Sequence, residues 1–343
     1  MLASNPNWPR LLLGSTGHVK TDTESSRGTQ KLLLSLEDGL QVECVVISQQ
    51  SALGRGKSSS VCVSSQVGCA RGCAFCSTGT MGLLRNLTTE EILWQVWLAL
   101  GVVRDQQLPA LKNVVFMGMG EPLNNLANVS RAVRQLTSQR AFGFSKRGVL
   151  VSTVGPSPQL IRQAAAILPC KLAWSVHAAD DELRRRLVPT TRHSMVELRE
   201  TLRAVVTERR SSKLAPGGRP QLVVQVTLLA GVNDEAEHAN QLADLLQPSF
   251  SAKELLVNLI PYNQNELPDI TGTLFAQPER EKVLAFQASL RARGLVTTVR
   301  QSRGGDERAA CGQLVTERPQ QRRKRSSSVG RSAAVEGRCN SAA

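Results

Sequence analysis

Apolar positions along the chain follow two rhythms. Short runs rich in Val, Ile and Leu at 61–65, 113–117, 148–153, 171–177, 222–228, 255–260 and 295–300 predict strands. Between them, at 88–103, 126–139, 158–167, 180–187, 195–209, 235–246 and 278–293, apolar residues recur every three or four positions, which predicts amphipathic helices. Two of these carry start signals: Thr88 to Glu91, and Asn233 to Glu235, put small polar and acidic side chains where unpaired N–H groups and the positive helix end attract them. Strands alternating with helices predict an α/β fold with a parallel sheet. Six or more such units favour an open or closed βα barrel, whose chemistry sits on the loops after the C-terminal strand ends.

The flanks break this rhythm. Runs at 31–36 and 40–47 around Asp38-Gly39 predict a hairpin. The expected organisation is an unstructured or extended segment over 1–28, a β-hairpin extension over 29–54, a core over 55–317 and a disordered basic tail over 318–343. Within the core, 211–220 contains Pro216, Gly217, Gly218 and Pro220 and has the composition of a loop that can act as a lid.

Charge narrows the partners. The chain carries a formal +14, of which the segment from Arg318 onward holds a net +6, so residues 1–317 are basic by themselves at +8. A polyanion such as RNA is the expected partner, although a solvated cationic face gives the same count. No run of about 18 apolar residues is present, and the first fifteen residues lack the apolar centre of a signal peptide. No membrane span and a cytoplasmic location are expected. In that compartment eight cysteines read as metal ligands, reactive thiols or core residues before they read as a disulfide framework.

Three of them are Cys69, Cys73 and Cys76, a C-x-x-x-C-x-x-C pattern directly after a predicted strand. Three thiolates on one tight loop hold three irons of a cubane and leave the fourth open to a small molecule, whereas electron-transfer clusters take four cysteines. A zinc site using Cys62 as fourth ligand is the competing reading; it lacks the second C-x-x-C pair usual in zinc modules. Gly118 to Leu123 puts glycines and Glu121 after another strand, suited to close backbone approach to a ligand and to an ammonium partner, or to a simple tight turn. Trp94, Trp97, Met117 and Met119 read as packing residues and Cys170 as core, while Cys44 and Cys339 fit no motif.

Taken together, the loop Cys69–Cys76, the string from Cys62 to Cys69, Gly118–Leu123, Val151–Thr153, Ser175–Ala178, Ile260–Asn263 and the segment Arg303–Leu314 resemble the RlmN/Cfr family of radical S-adenosylmethionine (SAM) RNA adenine methyltransferases. The resemblance spans 31–314 and implies a partial (β/α)6 radical-SAM barrel. It implies that Cys69, Cys73 and Cys76 ligate a [4Fe-4S] cluster whose unique iron binds SAM, and that Gly120, Glu121, Ser152, Ser175, Val176, His177 and Asn263 contact SAM. By the same resemblance Cys311 accepts a methyl group and tethers the substrate. Cys62 then resolves the tether through a disulfide, and Glu43 accepts the proton from adenine. Read singly, Glu43 is equally an outward charge on a strand, Cys311 a buried inert thiol, and each polar strand-end residue a cap. The family's chemistry implies carbon 2 of adenine, with carbon 8 as the alternative, in 23S rRNA or tRNA, an electron donor such as flavodoxin or ferredoxin, and a monomer. Two competing readings are a radical-SAM enzyme with another substrate and a non-catalytic iron–sulfur or zinc RNA-binding module.

The sequence departs from the family pattern in two places. Family members carry an N-terminal accessory domain that helps engage RNA, whereas about thirty unpatterned residues precede the hairpin here. The stretch between Glu43 and Cys62 is also longer than the familiar one. The tail from Arg318 is the expected source of compensating phosphate contacts.

Overall fold

The structure is a computed structural model that describes residues 19–20, 29–50, 56–210, 220–265, 272–300 and 312–314, with 212, 216, 267, 268 and 316. The tail from 318, most of 211–220 and Cys311 lie outside the described residues.

The chain enters through β1 (Val19–Lys20), β2 (Thr29–Ser35) and β3 (Gln41–Gln50), each antiparallel to its neighbour. The turn between β2 and β3 uses Gly39 at φ +79° and an Asp38 side chain that accepts from the Leu40 N–H at 3.0 Å, the chemistry that Asp-Gly announces in the sequence. The hairpin does not stand apart, because β3 pairs antiparallel with β4 (Lys57–Val63) and so joins the main sheet. A separate two-stranded ribbon follows, β5 (Gln66–Gly68) with β6 (Leu83–Asn86), enclosing the cysteine loop and the short helix α1 (Ser77–Thr80).

From there the alternation takes over. Helix α2 (Thr89–Asp105) opens with a reciprocal capping box between Thr88 and Glu91, as its sequence signal predicts. It leads to β7 (Leu111–Phe116), α3 (Leu126–Thr137), β8 (Val149–Thr153), α4 (Pro158–Ile167) and β9 (Lys171–Ser175). Helices α5 (Asp181–Leu187) and α6 (Met195–Arg209), β10 (Leu222–Leu228), α7 (Ala236–Leu246), β11 (Leu255–Pro261), α8 (Arg280–Ala292) and β12 (Thr297–Val299) complete it. The ten-stranded sheet runs β1-β2-β3-β4-β7-β8-β9-β10-β11-β12, and every pairing from β4 to β12 is parallel. Six parallel strands with their helices form the expected partial barrel, and β12 adds a short seventh at the edge. Among the described residues no helix is long and apolar enough to cross a membrane.

Strand register divides the sheet chemically. Laterally paired residues project to one face and successive residues to opposite faces. Val45 pairs with Cys62, Cys62 with Val115, Val115 with Leu150, Ser152 with Ala173, Ser175 with Gln225, and Gln225 with Asn258. Glu43, Cys62, Ser152, Ser175, Gln225 and Asn258 therefore share one polar face. The opposite face carries Val42, Cys44, Val61, Val63, Val114, Phe116, Val151, Trp174 and Val224, all essentially sealed from solvent in one core cluster with the buried sides of the helices. Trp94 and Met119 belong to this cluster and Trp97 packs against it, as expected. Met117 packs against it too and also lines the cleft described next, with its sulfur 3.7 Å from the Gln225 amide nitrogen.

Candidate functional site

Parallel pairing puts the C-terminal ends of β7 to β11 along one edge, and the segments leaving those ends surround an open cleft of about 830 Å³. Cys69, Cys73 and Cys76 form one side of it; Gly120, Glu121, Ser152, Ser175 and His177 are also in its wall. Eight of the ten residues assigned by motif to metal and SAM thus converge on one space.

The cysteine loop is shaped by its ends. Gly68 has φ +73°, and a Cβ there would lie 1.9 Å from the Gly82 carbonyl oxygen, so only glycine lets β5 and the start of β6 approach. That approach allows the Cys69 N–H to donate to the Gly82 carbonyl at 3.0 Å. The loop is then tied to three other segments. Ala74 N–H donates to the Leu187 carbonyl (3.0 Å), Thr190 Oγ1 to the Arg71 carbonyl (3.1 Å), and Asn265 Nδ2 to the Phe75 carbonyl (3.0 Å). Burial pushes the Cys69 thiol up to about 12 and the Cys73 thiol higher still. Such thiols stay protonated at neutral pH in the metal-free protein, as burial also keeps those of Cys44 and Cys170, so the convergence of the three on one cleft and not the shift marks the site.

The glycines of Gly118–Glu121 line the cleft and also allow a close approach within the fold. A Cβ on Gly118 would lie 2.8 Å from Ser64 Oγ, and one on Gly120, which has φ +101°, 2.6 Å from Gln66 Cβ. They let this segment pack against the end of β4 and the start of β5, which accounts for them without a ligand. Glu121 is buried; its carboxylate accepts from Leu123 N–H (2.9 Å) and Val154 N–H (3.0 Å), and the Thr153 hydroxyl is hydrogen-bonded to it as well. Burial raises its pKa.

Further along, Ser152 Oγ lies 3.0 Å from both Ser175 Oγ and Gln225 Oε1. Gln225 is not among the residues that the motifs single out, although a lone amide inside Leu-Val-Val-Gln-Val is the signal that marks it. His177 adopts φ +59°, its Nδ1 accepts from Thr227 N–H at 3.1 Å, and its ring meets Phe75 edge-on at 4.7 Å between centroids. Asn233, anticipated as part of a helix start, instead donates to the His177 carbonyl at 2.7 Å, and Glu235 takes over the cap. Two assigned residues do not line the cleft. Val176 is sealed on the other side of its strand with its N–H and carbonyl used internally, and Asn263 is buried beside the cleft-lining Tyr262.

Residues 63–242 match the Radical SAM superfamily. A crystal structure of a radical SAM methyltransferase from Sphaerobacter thermophilus shares the fold at a TM-score of 0.78 and 37% identity, covering 90% of this chain and 84% of that one. The dual-specificity RNA methyltransferase RlmN of Lawsonia intracellularis is 40% identical over 301 residues, 87% of this chain and 78% of that protein. The chain belongs to the RlmN family of radical SAM proteins. An archaeal relative, the ribosomal RNA large subunit methyltransferase N of Nitrosopumilus maritimus, is 38% identical over 306 residues, 89% of this chain and 82% of that protein.

Radical SAM membership implies an iron–sulfur cluster and SAM, and the cleft fits both. Arg71 Nε and Arg184 Nε and Nη1 are buried beside the cysteines without a hydrogen-bond partner among the described residues, which suits an anionic guest. No three His, Cys, Asp or Glu side chains among those residues converge on a single ion point. Ligands of a cubane bind separate irons and need no such convergence, whereas the competing zinc reading with Cys62 needs it.

The remaining RlmN-type assignments lie along the sheet. Cys62 and Glu43 are on the polar face, both about 5% exposed, so Glu43 is no outward surface charge. Its carboxylate pairs with Lys31 Nζ at 3.0 Å, and its carbonyl accepts from Ser64 Oγ at 2.6 Å. That same Ser64 hydroxyl accepts from Met119 N–H at 2.9 Å, linking the hairpin edge to the Gly118–Glu121 segment. Cys311 lies outside the described residues; its neighbour Gly312 lines the cleft, and its carbonyl accepts from Ser77 N–H at 2.7 Å.

Proposed function

We propose that this RlmN-family chain is a SAM-dependent RNA methyltransferase that methylates adenine at carbon 2, with carbon 8 as the alternative, in 23S rRNA, tRNA or both. The observation that carries the reading is the convergence of Cys69, Cys73, Cys76, Glu121, Ser152, Ser175 and His177 on one cleft whose polar sheet face continues to Cys62 and Glu43. The names of the curated relatives, dual-specificity and large-subunit ribosomal RNA methyltransferases, support the substrate.

In this reading Cys69, Cys73 and Cys76 would hold a [4Fe-4S] cluster, and Gly120, Glu121, Ser152, Ser175 and His177 line the place for SAM, with Asn263 beside the cleft-lining Tyr262 and Val176 turned away from it. When bound, the cluster and SAM supply a one-electron cleavage that yields a radical able to take hydrogen from an unactivated methyl group. Cys311 would carry that methyl on sulfur; after hydrogen removal the methylene carbon would bond to the adenine carbon, and the adduct would give up one electron, the counterpart of the one spent on cleaving SAM. Glu43 accepts the proton that the ring carbon loses. The Cys62 sulfur attacks the Cys311 sulfur, the carbon–sulfur bond breaks, the departing methylene takes up a proton to become methyl, and a Cys62–Cys311 disulfide remains for an external dithiol to reduce. Buried, polar and next to a strand that leads into the cleft, Cys62 suits a thiol that meets one partner only. Flavodoxin or ferredoxin fits the need for a low-potential electron, and a monomer is the expected state.

The experiment is anaerobic reconstitution with iron and sulfide, then reduction with SAM and bulk ribosomal and transfer RNA, with mass spectrometry of the digested nucleosides. Methyladenosine that disappears with C311A supports the proposal, and fragment masses separate carbon 2 from carbon 8. SAM cleavage without methylated RNA from a reduced, fully loaded cluster overturns the RNA assignment.

A further inference from the structure

Helix α5 reads Asp-Glu-Leu-Arg-Arg-Arg-Leu, and nothing in its charge pattern separates the three arginines. The fold does: Arg185 and Arg186 are exposed, while Arg184, three residues before Leu187 on the apolar stripe, is 0% exposed. Its Nη2 donates to the Val154 carbonyl at 2.9 Å. Nε and Nη1 are fully buried and have no partner among the described residues. A guanidinium left this way costs stability, since buried charge is retained at low cost only when paired and hydrogen-bonded.

Its surroundings identify what pairs with it. Arg184 lies within electrostatic reach of Cys73, Glu121 and His177, and Val154, whose carbonyl it holds, is in the cleft wall. All four line the cleft, so the guanidinium sits directly behind the cleft wall. The helix that carries it is fastened to the cysteine loop by the Ala74–Leu187 hydrogen bond, and Phe75, Leu187 and Val188 form a small core cluster of their own against which Cys73, Cys76 and Leu183 pack. Glu121 is not the missing partner, because its oxygens accept from Leu123 and Val154 and it shares no hydrogen bond with Arg184. A guanidinium is not deprotonated in a protein, so the group is charged at neutral pH.

We infer that Arg184 is a buried countercharge for the iron–sulfur cluster, offering its free Nε and Nη1 hydrogens to the anionic edge held by Cys73 and raising the potential at which the cluster accepts an electron. Hydrogen bonds to sulfur and nearby charge are the levers by which proteins set such potentials, and a cation stabilises the more negative, reduced state. The inference rests on the cluster reading of Cys69, Cys73 and Cys76. Arg184 acts here as a positioning and tuning residue that touches no RNA.

The test is a redox titration, followed by electron paramagnetic resonance, of full-length reconstituted protein in wild-type, R184Q, R184M and R184K forms without SAM, using a low-potential one-electron reductant. Gln keeps a donor for the Val154 carbonyl and removes the charge; Lys keeps the charge. At the wild-type midpoint, R184Q and R184M are expected to hold about tenfold less reduced relative to oxidised cluster, about 59 mV for one electron, with R184K nearer to wild type. Equal potentials in all four proteins at equal iron and sulfide content overturn the inference. So does an unchanged potential with SAM binding weakened in calorimetry, which assigns Arg184 to the carboxylate of SAM. If R184Q does not hold a cluster, the metal-free melting curve decides: a curve like wild type supports the countercharge, and an unfolded protein makes Arg184 structural. Wild-type protein that takes up no iron and sulfide fails the cluster reading itself.

Discussion

Cys44 and Cys62 lie on adjacent strands, at 0% and 5% exposure, and project to opposite faces of one sheet. Cys44 shares the apolar face with Val42, Val63 and Phe116, and burial pushes its thiol far above the ordinary range. Cys62 shares the polar face with Glu43, and that face leads through Ser152, Ser175 and Gln225 to the cysteine loop. Both thiols belong to the buried core, so burial does not distinguish them; the face of the sheet does, and the role proposed for Cys62 rests on that face. The same division runs the length of the sheet, where helices seal one side and the other keeps hydroxyls, an amide and an ion pair for chemistry.

The largest effect that this comparison predicts comes from the cleft end of the polar face. C73S, like C69S or C76S, is expected to abolish cluster retention, read as loss of iron, sulfide and visible absorption, with the fold preserved by circular dichroism. A C73S protein that keeps a full cluster removes the cysteine loop from the site altogether. Next is the direct contrast. C62A is expected to stop turnover while leaving RNA covalently attached to the chain, seen as a protein band that ribonuclease shifts. C44A is expected to lose only packing, about 1–2 kcal/mol by comparison with other single-group core deletions, and to turn over normally at a temperature where it is folded. Equal loss of turnover in both variants breaks the distinction between faces.

A smaller effect is expected at Gly120. With φ +101° and Gln66 Cβ only 2.6 Å from where an alanine methyl would sit, G120A forces both backbone strain and displacement of Gln66, whose Oε1 accepts from Glu121 N–H at 2.8 Å. Strain of this kind costs about 1–3 kcal/mol, so an unfolding free energy lowered by that amount in urea titrations, together with weaker SAM binding, is the expected result. An unchanged midpoint shows that the segment is free to move and that its packing against Gln66 does not hold Glu121.

Much of this is legible in the sequence, for identifiable reasons. The alternation of strands and helices, the Asp38-Gly39 turn and the Thr88–Glu91 cap are local signals, and each appears where local chemistry announces it. The ribbon β5–β6 is not, because three- and four-residue strands carry no periodicity and depend on Gly68 meeting Gly82. The polar face is invisible for a related reason: register between distant strands, not composition, aligns Cys62 with Ser152 and Gln225. Arg184 is hidden among identical neighbours, since burial of one arginine in three follows from helix phase against a partner segment that the sequence does not name. The purpose of Gly118 and Gly120 is easily misjudged because a glycine reports close approach without saying to what.

The smallest predicted effect concerns the cost of keeping a polar group on the sealed side of the cleft. Burial, and then the charge of Arg184, hold His177 well below its ordinary 6.5, so the folded protein keeps the ring neutral while the unfolded chain takes up a proton as pH falls through that value. The unfolded state then binds more protons than the folded state, and stability is present above about pH 6.5 and lost below it, by about 1.4 kcal/mol per pH unit at full effect. H177N isolates this contribution. Asparagine tolerates the left-handed backbone at φ +59°, and its side-chain oxygen can accept from Thr227 N–H in place of Nδ1, but it does not titrate. Urea midpoints of the metal-free protein between pH 7.5 and 5.5 (about one unit either side of the ordinary histidine value) are expected to fall less steeply for H177N than for wild type. Parallel slopes would mean that His177 gains a proton in the folded state as readily as in the unfolded one, and that this end of the polar face is open to water in a way the hydrophobic side of the sheet is not.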